Sequence, residues 1–421
     1  MKRNSMASML CRGLGLLAVC ILPIGCTKSP TEVAGDGGAG SETTNGVVTG
    51  TILTPGGAPM ADAFVSLHEH AEDYSLDPRI VDTTRSGEQG EYRFEQVAQG
   101  LYKIRALSAD SSQSVVVDSA EVADENDTIT VEVQTRASAS IEATWPYGSD
   151  FSRHIALRGS PWAAAADSAG VARLTGVPEG TYLLQYILHD PLSDGRVVAS
   201  TESVTVTAGT PATGTAQPIK PLGSGAGTVV FDDFELAWMR TVEGKGWWSF
   251  TDVKTGGNSV VTSGKSDDSF LVSPGYGDTG QCARFSFTFG SQRVGKFVGF
   301  GTFLGDMQGD EEPRQLITCK SFVGVDSMSL ALKGTGSSVA VSLKSDLTNE
   351  VVQLIRIDSL PDVWRRYSVD FAALAAADTS SAYTWDQKMR YMTRFHIMST
   401  SYVSGETGTV RVDDVVFYYG Q

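Results

Sequence analysis

The chain has 421 residues, 41% of them hydrophobic and 19% charged, and a formal net charge of −16. This length accommodates roughly two to four domains, and the apolar fraction supports folded cores, which excludes global disorder. The acidity argues against nucleic acid as a partner, because phosphate binding needs dense Lys and Arg.

Lys2, Arg3 and Arg12 precede an apolar run of Leu14, Leu16, Leu17, Ala18, Val19, Ile21 and Leu22, which ends in Pro23-Ile24-Gly25-Cys26. A basic start, an apolar stretch and a small residue read as a secretory signal. The run is too short to span about 30 Å of hydrocarbon. This order resembles a bacterial lipoprotein signal, with Pro23 where that family usually has Leu. The resemblance implies cleavage before Cys26, a lipid on its new N-terminus, and a protein held by its lipid anchor in the cell envelope, at the outer membrane or cell surface. An ordinary secretion signal is the alternative. Residues 1–25 are the expected signal peptide. Residues 26–45 hold Gly35, Gly37, Gly38 and Gly40 without apolar periodicity and are the expected flexible tether.

From Gly46 the pattern is that of short strands. Ala63, Val65 and Leu67 alternate with Phe64, Ser66 and His68, and Tyr102, Ile104 and Ala106 alternate with Lys103 and Arg105. Strands so spaced, with glycine turns between them, predict a small antiparallel sandwich over 46–135. The run Gly87-Glu88-Gln89-Gly90-Glu91-Tyr92-Arg93-Phe94, followed by Gly100-Leu101-Tyr102, resembles the carboxypeptidase regulatory-like, transthyretin-like β-sandwich. That likeness implies a structural or spacer module without peptidase chemistry. Gly90, Val97, Gly100 and Tyr102 recur eighty residues later as Gly170, Val177, Gly180 and Tyr182. Residues 137–215 therefore read as a second, degenerate sandwich. Residues 216–227, rich in Gly and Pro, read as a linker.

Residues 228–421 differ. They hold Trp238, Trp247, Trp248, Trp364 and Trp385, and strands such as Ala283-Arg284-Phe285-Ser286-Phe287-Thr288-Phe289 that alternate strongly. The expectation is a larger β-jelly roll with one helix-like piece near Phe371–Ala377. The fold class is thus all-β: two small antiparallel β-sandwiches, then a jelly roll. Phe231-Asp232-Asp233-Phe234-Glu235, Trp247-Trp248-Ser249-Phe250, Phe297-Val298-Gly299-Phe300-Gly301-Thr302-Phe303-Leu304 and Val412-Asp413-Asp414-Val415-Val416-Phe417 occur in that order. This succession resembles the galactose-binding-like jelly rolls, most closely the family 11 carbohydrate-binding modules. It implies β-glucan or another polysaccharide as the partner, and a structural calcium near the chain ends.

Aromatic faces stack on the C–H faces of sugar rings, so Trp247, Trp248, Tyr276, Trp385, Tyr391 and Tyr402 are the candidate binding rings. Alternation sends one of Trp247 and Trp248 inward and the other outward. Glu235 with Asp413 or Asp414 is the set that the resemblance offers to calcium; the other reading is solvent-facing strand ends. Cys282 and Cys319 are the two thiols beyond the signal and Cys26, and either form a disulfide or stay buried and free. There is no G-x-S-x-G and no H-E-x-x-H, and Gly299-x-Gly301 falls inside a predicted strand, where it cannot cradle phosphate. His68 and His70 share a strand face without a third ligand. The chain is expected to be no enzyme. A lipoprotein whose jelly roll docks another cell-envelope protein is the competing function.

Overall fold

The computed structural model describes residues 46–421 except 71–79, 125–126, 236–240, 242, 264–269, 292–295, 309–315, 337, 380–381 and 421. The expected signal, the tether and Cys26 lie outside the described residues. Strands take 59% and helices 6%, so the all-β expectation holds. Among the described residues no helix is long and apolar enough to cross a membrane.

The first sandwich comprises β1 (Gly46–Leu53), β2 (Phe64–Glu69), β3 (Ile80–Arg85), β4 (Glu91–Val97), β5 (Gly100–Leu107), β6 (Gln113–Val122) and β7 (Thr128–Gln134). The alternating apolar residues face one core, including Val48, Ile52, Val65, Leu67, Phe94 and Ile104. One layer runs β4-β1-β7 and the other β6-β5-β2-β3. Gly50 is needed where these layers tighten: a Cβ there would lie 1.9 Å from the Val131 carbonyl oxygen. That carbonyl accepts the Tyr92 hydroxyl at 2.9 Å.

The second sandwich comprises β8 (Arg136–Thr144), β9 (Ser152–Leu157), β10 (Ala163–Ala165), β11 (Val171–Pro178), β12 (Gly180–Asp190), β13 (Gly195–Val206) and β14 (Ala212–Thr215). Its layers, β11-β8-β14 and β10-β9-β12-β13, repeat those of the first strand for strand. The repeated residues have the same local geometry. Gly90 and Gly170 adopt φ of +76° and +81° in matching turns, where a side chain would be strained. The Tyr102 hydroxyl donates to the Ala98 carbonyl at 2.7 Å, and that of Tyr182 to the Pro178 carbonyl at 2.9 Å. One feature goes beyond an antiparallel sandwich. The first and last strands of each module, β1 with β7 and β8 with β14, pair in parallel. Alternation of side chains carries no information on strand direction.

The sandwiches share a sheet. Gln113 and Ser114 of β6 pair with Ala137 and Arg136 of β8, which joins a layer of each module. The single residue between them, Thr135, is buried and bonds through its N–H and its hydroxyl to the Leu53 carbonyl.

In the jelly roll one sheet has the order Val260–Ser263, Cys282–Thr288, Thr407–Tyr419, Val325–Thr335, Arg365–Asp370, with Thr228–Asp232 added along Thr407–Tyr419 and Leu271–Val272 along Cys282–Thr288. The other has five strands, Trp247–Thr251, Lys296–Phe303, Arg394–Ser401, Ser338–Lys344 and Val351–Ile357. Phe285, Phe287, Phe300, Phe395 and Phe417 fill the space between them. Asp370 caps the expected helix Phe371–Ala377 by accepting from the Ala373 N–H. A second helix, Trp385–Arg390, begins at a capping box made by Thr384 and Gln387.

Residues 216–227 are packed rather than loose. Ala216 belongs to the second sandwich's core and Leu222 to that of the jelly roll, and the Leu222 N–H bonds the Ser321 carbonyl at 3.0 Å. The jelly roll in turn supplies Cys319, Leu347 and Tyr391 to the second sandwich's core. Polar bonds cross the same junction: Ser193 Oγ donates to the Leu347 carbonyl at 2.6 Å and Gln387 Nε2 to Asp150 Oδ2 at 2.7 Å. The Tyr383 hydroxyl bonds the Asp190 carboxylate there as well. Residues 44–421 form one compact unit.

The disulfide expectation is corrected here. Cys282 and Cys319 are both buried, free thiols. Cys282 lies in the first jelly-roll sheet, with its sulfur toward the Val272 and Pro274 carbonyls, whereas Cys319 sits at the junction facing the Val198 carbonyl. Burial pushes their pKa values to about 11 and about 12, which leaves both protonated.

Candidate functional site

The outward side of the five-stranded sheet carries a strip of rings. Val298, Phe300 and Thr302 point into the core, so Phe297, Gly299, Gly301 and Phe303 of the same strand point out. On the neighbouring strand Phe395 and Ile397 are buried, which turns Arg394, His396 and Met398 outward. The register then fixes rows across the sheet. Trp248 pairs with Gly301, Gly301 with His396, and His396 with Ser342. In the next row out, Phe303 pairs with Arg394 and Arg394 with Lys344.

The two glycines create the room. A Cβ on Gly301 would lie 2.5 Å from His396 Cδ2, and one on Gly299 would lie 2.7 Å from Phe250 Cζ. Over them Trp248 stacks on Phe303 with centroids 4.2 Å apart and planes at 26°. His396 stands 6.2 Å from Trp248 and 5.0 Å from Phe250, and Phe250 stands 6.3 Å from Phe297. The strip ends in charge. The Arg394 guanidinium lies 5.1 Å over the Phe303 ring and donates to Asp346 Oδ2 at 3.0 Å, while Lys344 Nζ is 3.4 Å from Asp346 Oδ1. Burial, helped by Arg394 and Lys344, lowers the His396 pKa to about 4. The imidazole is therefore neutral at pH 7, with one ring nitrogen to donate and one to accept. The arrangement offers apolar ring surface beside fixed polar groups, the chemistry that a sugar ring demands.

Of the rings singled out from the sequence, only Trp248 lies on this strip. Trp247 is its inward partner: it packs on Phe231, Phe234, Phe300 and Phe395, and its Nε1–H donates to Asp232 Oδ2 at 2.6 Å. Tyr391 is buried at the junction, 5.2 Å from Phe151. Neither of these two rings is available to a ligand, because core packing has taken both faces. Tyr276 lies on the other sheet's side, 6.1 Å from Trp364, with Arg366 4.7 Å above it. Trp385 packs against Phe371 and helps line a cavity of about 520 Å³ with Asp326 and Asp370. Tyr402 is 90% exposed in the turn that leads from Arg394–Ser401 to Thr407–Tyr419 of the other sheet. Phe250, Phe303, His396 and Arg394 were missed, although the alternation in Phe297–Phe303 already turned Phe303 outward.

Glu235, Asp413 and Asp414 are each engaged by the protein. Glu235 accepts the Gln281 N–H at 2.9 Å, Asp413 accepts the Tyr276 N–H at 2.7 Å, and Asp414 pairs with Arg366. Among the described residues no three His, Cys, Asp or Glu side chains are grouped closely enough to hold a metal ion. Burial raises Asp413 to about 6, with Asp414 and Glu235 adding to the shift. It raises Asp232 to about 7 against the opposing N–H bonds from Trp247 and Phe234. Each of Glu235, Asp413 and Asp414 thus serves at least one protein donor, with Asp413 lying near the other two acids.

The sequence model of the Carboxypeptidase regulatory-like domain matches residues 47–136. No curated protein matches the chain. Among solved structures the chain is similar to the family 11 carbohydrate-binding module of a cellulosomal cellulase of Clostridium thermocellum, with 15% identity over 46% of this chain and 96% of that one and a TM-score of 0.30. It is also similar to a family 29 carbohydrate-binding module complexed with mannohexaose (11% identity, 45% and 87% coverage, TM-score 0.23). A streptococcal ancillary pilin gives 13% identity, 42% and 64% coverage and a TM-score of 0.19. Likenesses this distant transfer no ligand.

Proposed function

We propose that this is a non-catalytic polysaccharide-binding protein, anchored in the cell envelope through a lipid on Cys26, whose jelly roll holds a β-glucan or similar neutral chain along the five-stranded sheet. The observation that carries this reading is the strip Phe297–Phe250–His396–Trp248–Phe303, closed at one end by Arg394, Lys344 and Asp346. Rings supply the stacking surface, and the neutral His396 and the charged corner supply hydroxyl partners. No charge pairing with a neutral glycan is available, so the dissociation constant falls at about micromolar to millimolar, roughly −8 to −4 kcal/mol.

The test is tryptophan fluorescence and affinity electrophoresis of the full chain with several soluble β-glucans. Binding that is lost in Trp248→Ala, with the melting transition retained, supports the reading. A normally melting wild type that none of the glucans retards sinks it and leaves the protein-docking function. Anchoring is tested separately: Cys26→Ser moves the protein out of the membrane fraction, and a variant still membrane-bound overturns the lipid assignment.

A further inference from the structure

The strand Arg365–Asp370 is the last of its sheet, and a cavity of about 520 Å³ opens along its end. Every residue that lines it is among the described ones. One wall is polar. Met328 and Val369 point into the core, so Ser327, Ser368 and Asp370 on the same two strands point out. The register sets Ser327 opposite Asp370, and Ser368 stands two residues before Asp370 on the same side. Asp370 Oδ1 accepts the Ala373 N–H at 3.1 Å, which fixes the carboxylate on this wall. Asp326, the extra residue where the register shifts between Val325 and Ser327, has its own partner in the protein and adds a second acid to the lining.

The other wall is apolar. Ala372 and Ala375, three residues apart, share one face of the helix Phe371–Ala377. Alanine at both positions leaves open the space that a larger side chain would fill. Trp385, half-buried, begins the second helix and meets Phe371 edge-on, with centroids 6.2 Å apart and planes at 80°. An edge-on contact takes at most one side of an indole, and Trp385 also borders the cavity. The sequence marked this ring as a candidate for binding, and the strip on the five-stranded sheet does not use it.

We propose that this cavity seats a single neutral pyranose unit, a free hexose or the end of a glycan, with its C–H face on Trp385 and its hydroxyls on Ser327, Ser368 and Asp370. The volume falls within the roughly 300–1,000 Å³ of small-molecule sites, and one polar wall beside one apolar wall matches the two characters of a sugar ring. Serine hydroxyls both donate and accept, as sugar hydroxyls do. With two carboxylates and no Lys, Arg or His in the lining, a phosphate or an acidic sugar is repelled. An ammonium ligand would use the carboxylates alone and leave the serines unmatched. The cavity belongs to the edge of one sheet and the ring strip to the outer side of the other, so the two sites stand or fall independently.

The test is saturation-transfer NMR of the full chain with the methyl glycosides of glucose, galactose and mannose, with cellotetraose and choline as comparison probes. At least one hexoside binds with a dissociation constant of about 1 mM, weak because so small a ligand makes few contacts. Ala375→Leu, which keeps a good helix former, fills the cavity and abolishes that binding. Ser368→Ala, at an exposed position, weakens it roughly fivefold, the worth of one hydrogen bond. Trp248→Ala leaves it unchanged. Asp370→Asn, which still caps the helix and still accepts a hydroxyl, retains most of it. Cellotetraose that binds Trp248→Ala and is lost when Ala375→Leu is added identifies a chain end as the occupant; binding of the hexosides alone identifies the free sugar. Melting curves accompany each variant, and Ser368→Ala reads the site if Ala375→Leu unfolds. The proposal is overturned by a wild type to which no hexoside binds, by folded Ala375→Leu and Ser368→Ala that bind undiminished, or by choline binding tighter than every hexoside.

Discussion

Trp247 and Trp248 follow one another in the chain and face opposite sides of their strand. Trp247 fills core and anchors Asp232, so Trp247→Ala costs roughly 3–5 kcal/mol, read as a lowered urea midpoint. A loss under about 1 kcal/mol would show that the ring is not core. His396 answers to pH. Its folded value of about 4 lies below the ordinary 6.5, so the imidazole contributes stability above 6.5 that is lost as pH falls through 4. Between pH 7 and pH 4 wild type should therefore lose up to roughly 3 kcal/mol relative to His396→Gln. A difference independent of pH would place the imidazole in water. Asp232 and Asp413 run the other way: their folded values lie above the ordinary carboxylate range, so the stability they confer is present in acid and declines as pH rises through 6 and 7. Alternation made the split between the two tryptophans legible from sequence. It could not show that Phe303 would stack on Trp248, because that contact depends on register between strands fifty residues apart.

At the scale of elements, repetition was the strongest signal. Gly90, Val97, Gly100 and Tyr102 and their counterparts foretold two modules, and the two share strand order throughout. The helix Trp385–Arg390 escaped because six residues carry too little periodicity, although Thr384-x-x-Gln387 spelled out its cap. The junctions were illegible for a different reason: Ala216 and Leu222 sit among Gly and Pro, which look like punctuation until partners far along the chain bury them. The cores then predict which fragments fold. Among the described residues the first core draws only on residues 48–133, so the fragment 44–136 should melt cooperatively alone. The second needs Cys319, Leu347 and Tyr391, so 137–227 expressed alone should lack a cooperative transition and gain one when the jelly roll is included. A sharp melt of 137–227 by itself would refute this shared core.

Over the whole molecule, a shared sheet joins the first two modules and a shared core joins the last two, so nothing resembling a slack hinge separates them among the described residues. The parallel pairing of β1 with β7 has a mechanical consequence. Tension applied at the two ends of the first module drags β1 and β7 past each other along their length. All seven paired positions from Val47–Thr128 to Leu53–Gln134 then bear the load together rather than unzipping in turn. Stretching this module between its ends should give one abrupt rupture, whereas stretching it from β2 and β3, an antiparallel pair pulled open from one side, should yield at much lower force. Equal forces in the two directions would refute the shear clamp. The second module ties its first and last strands the same way over four pairs, so tension between its ends is likewise carried by strands arranged to resist it.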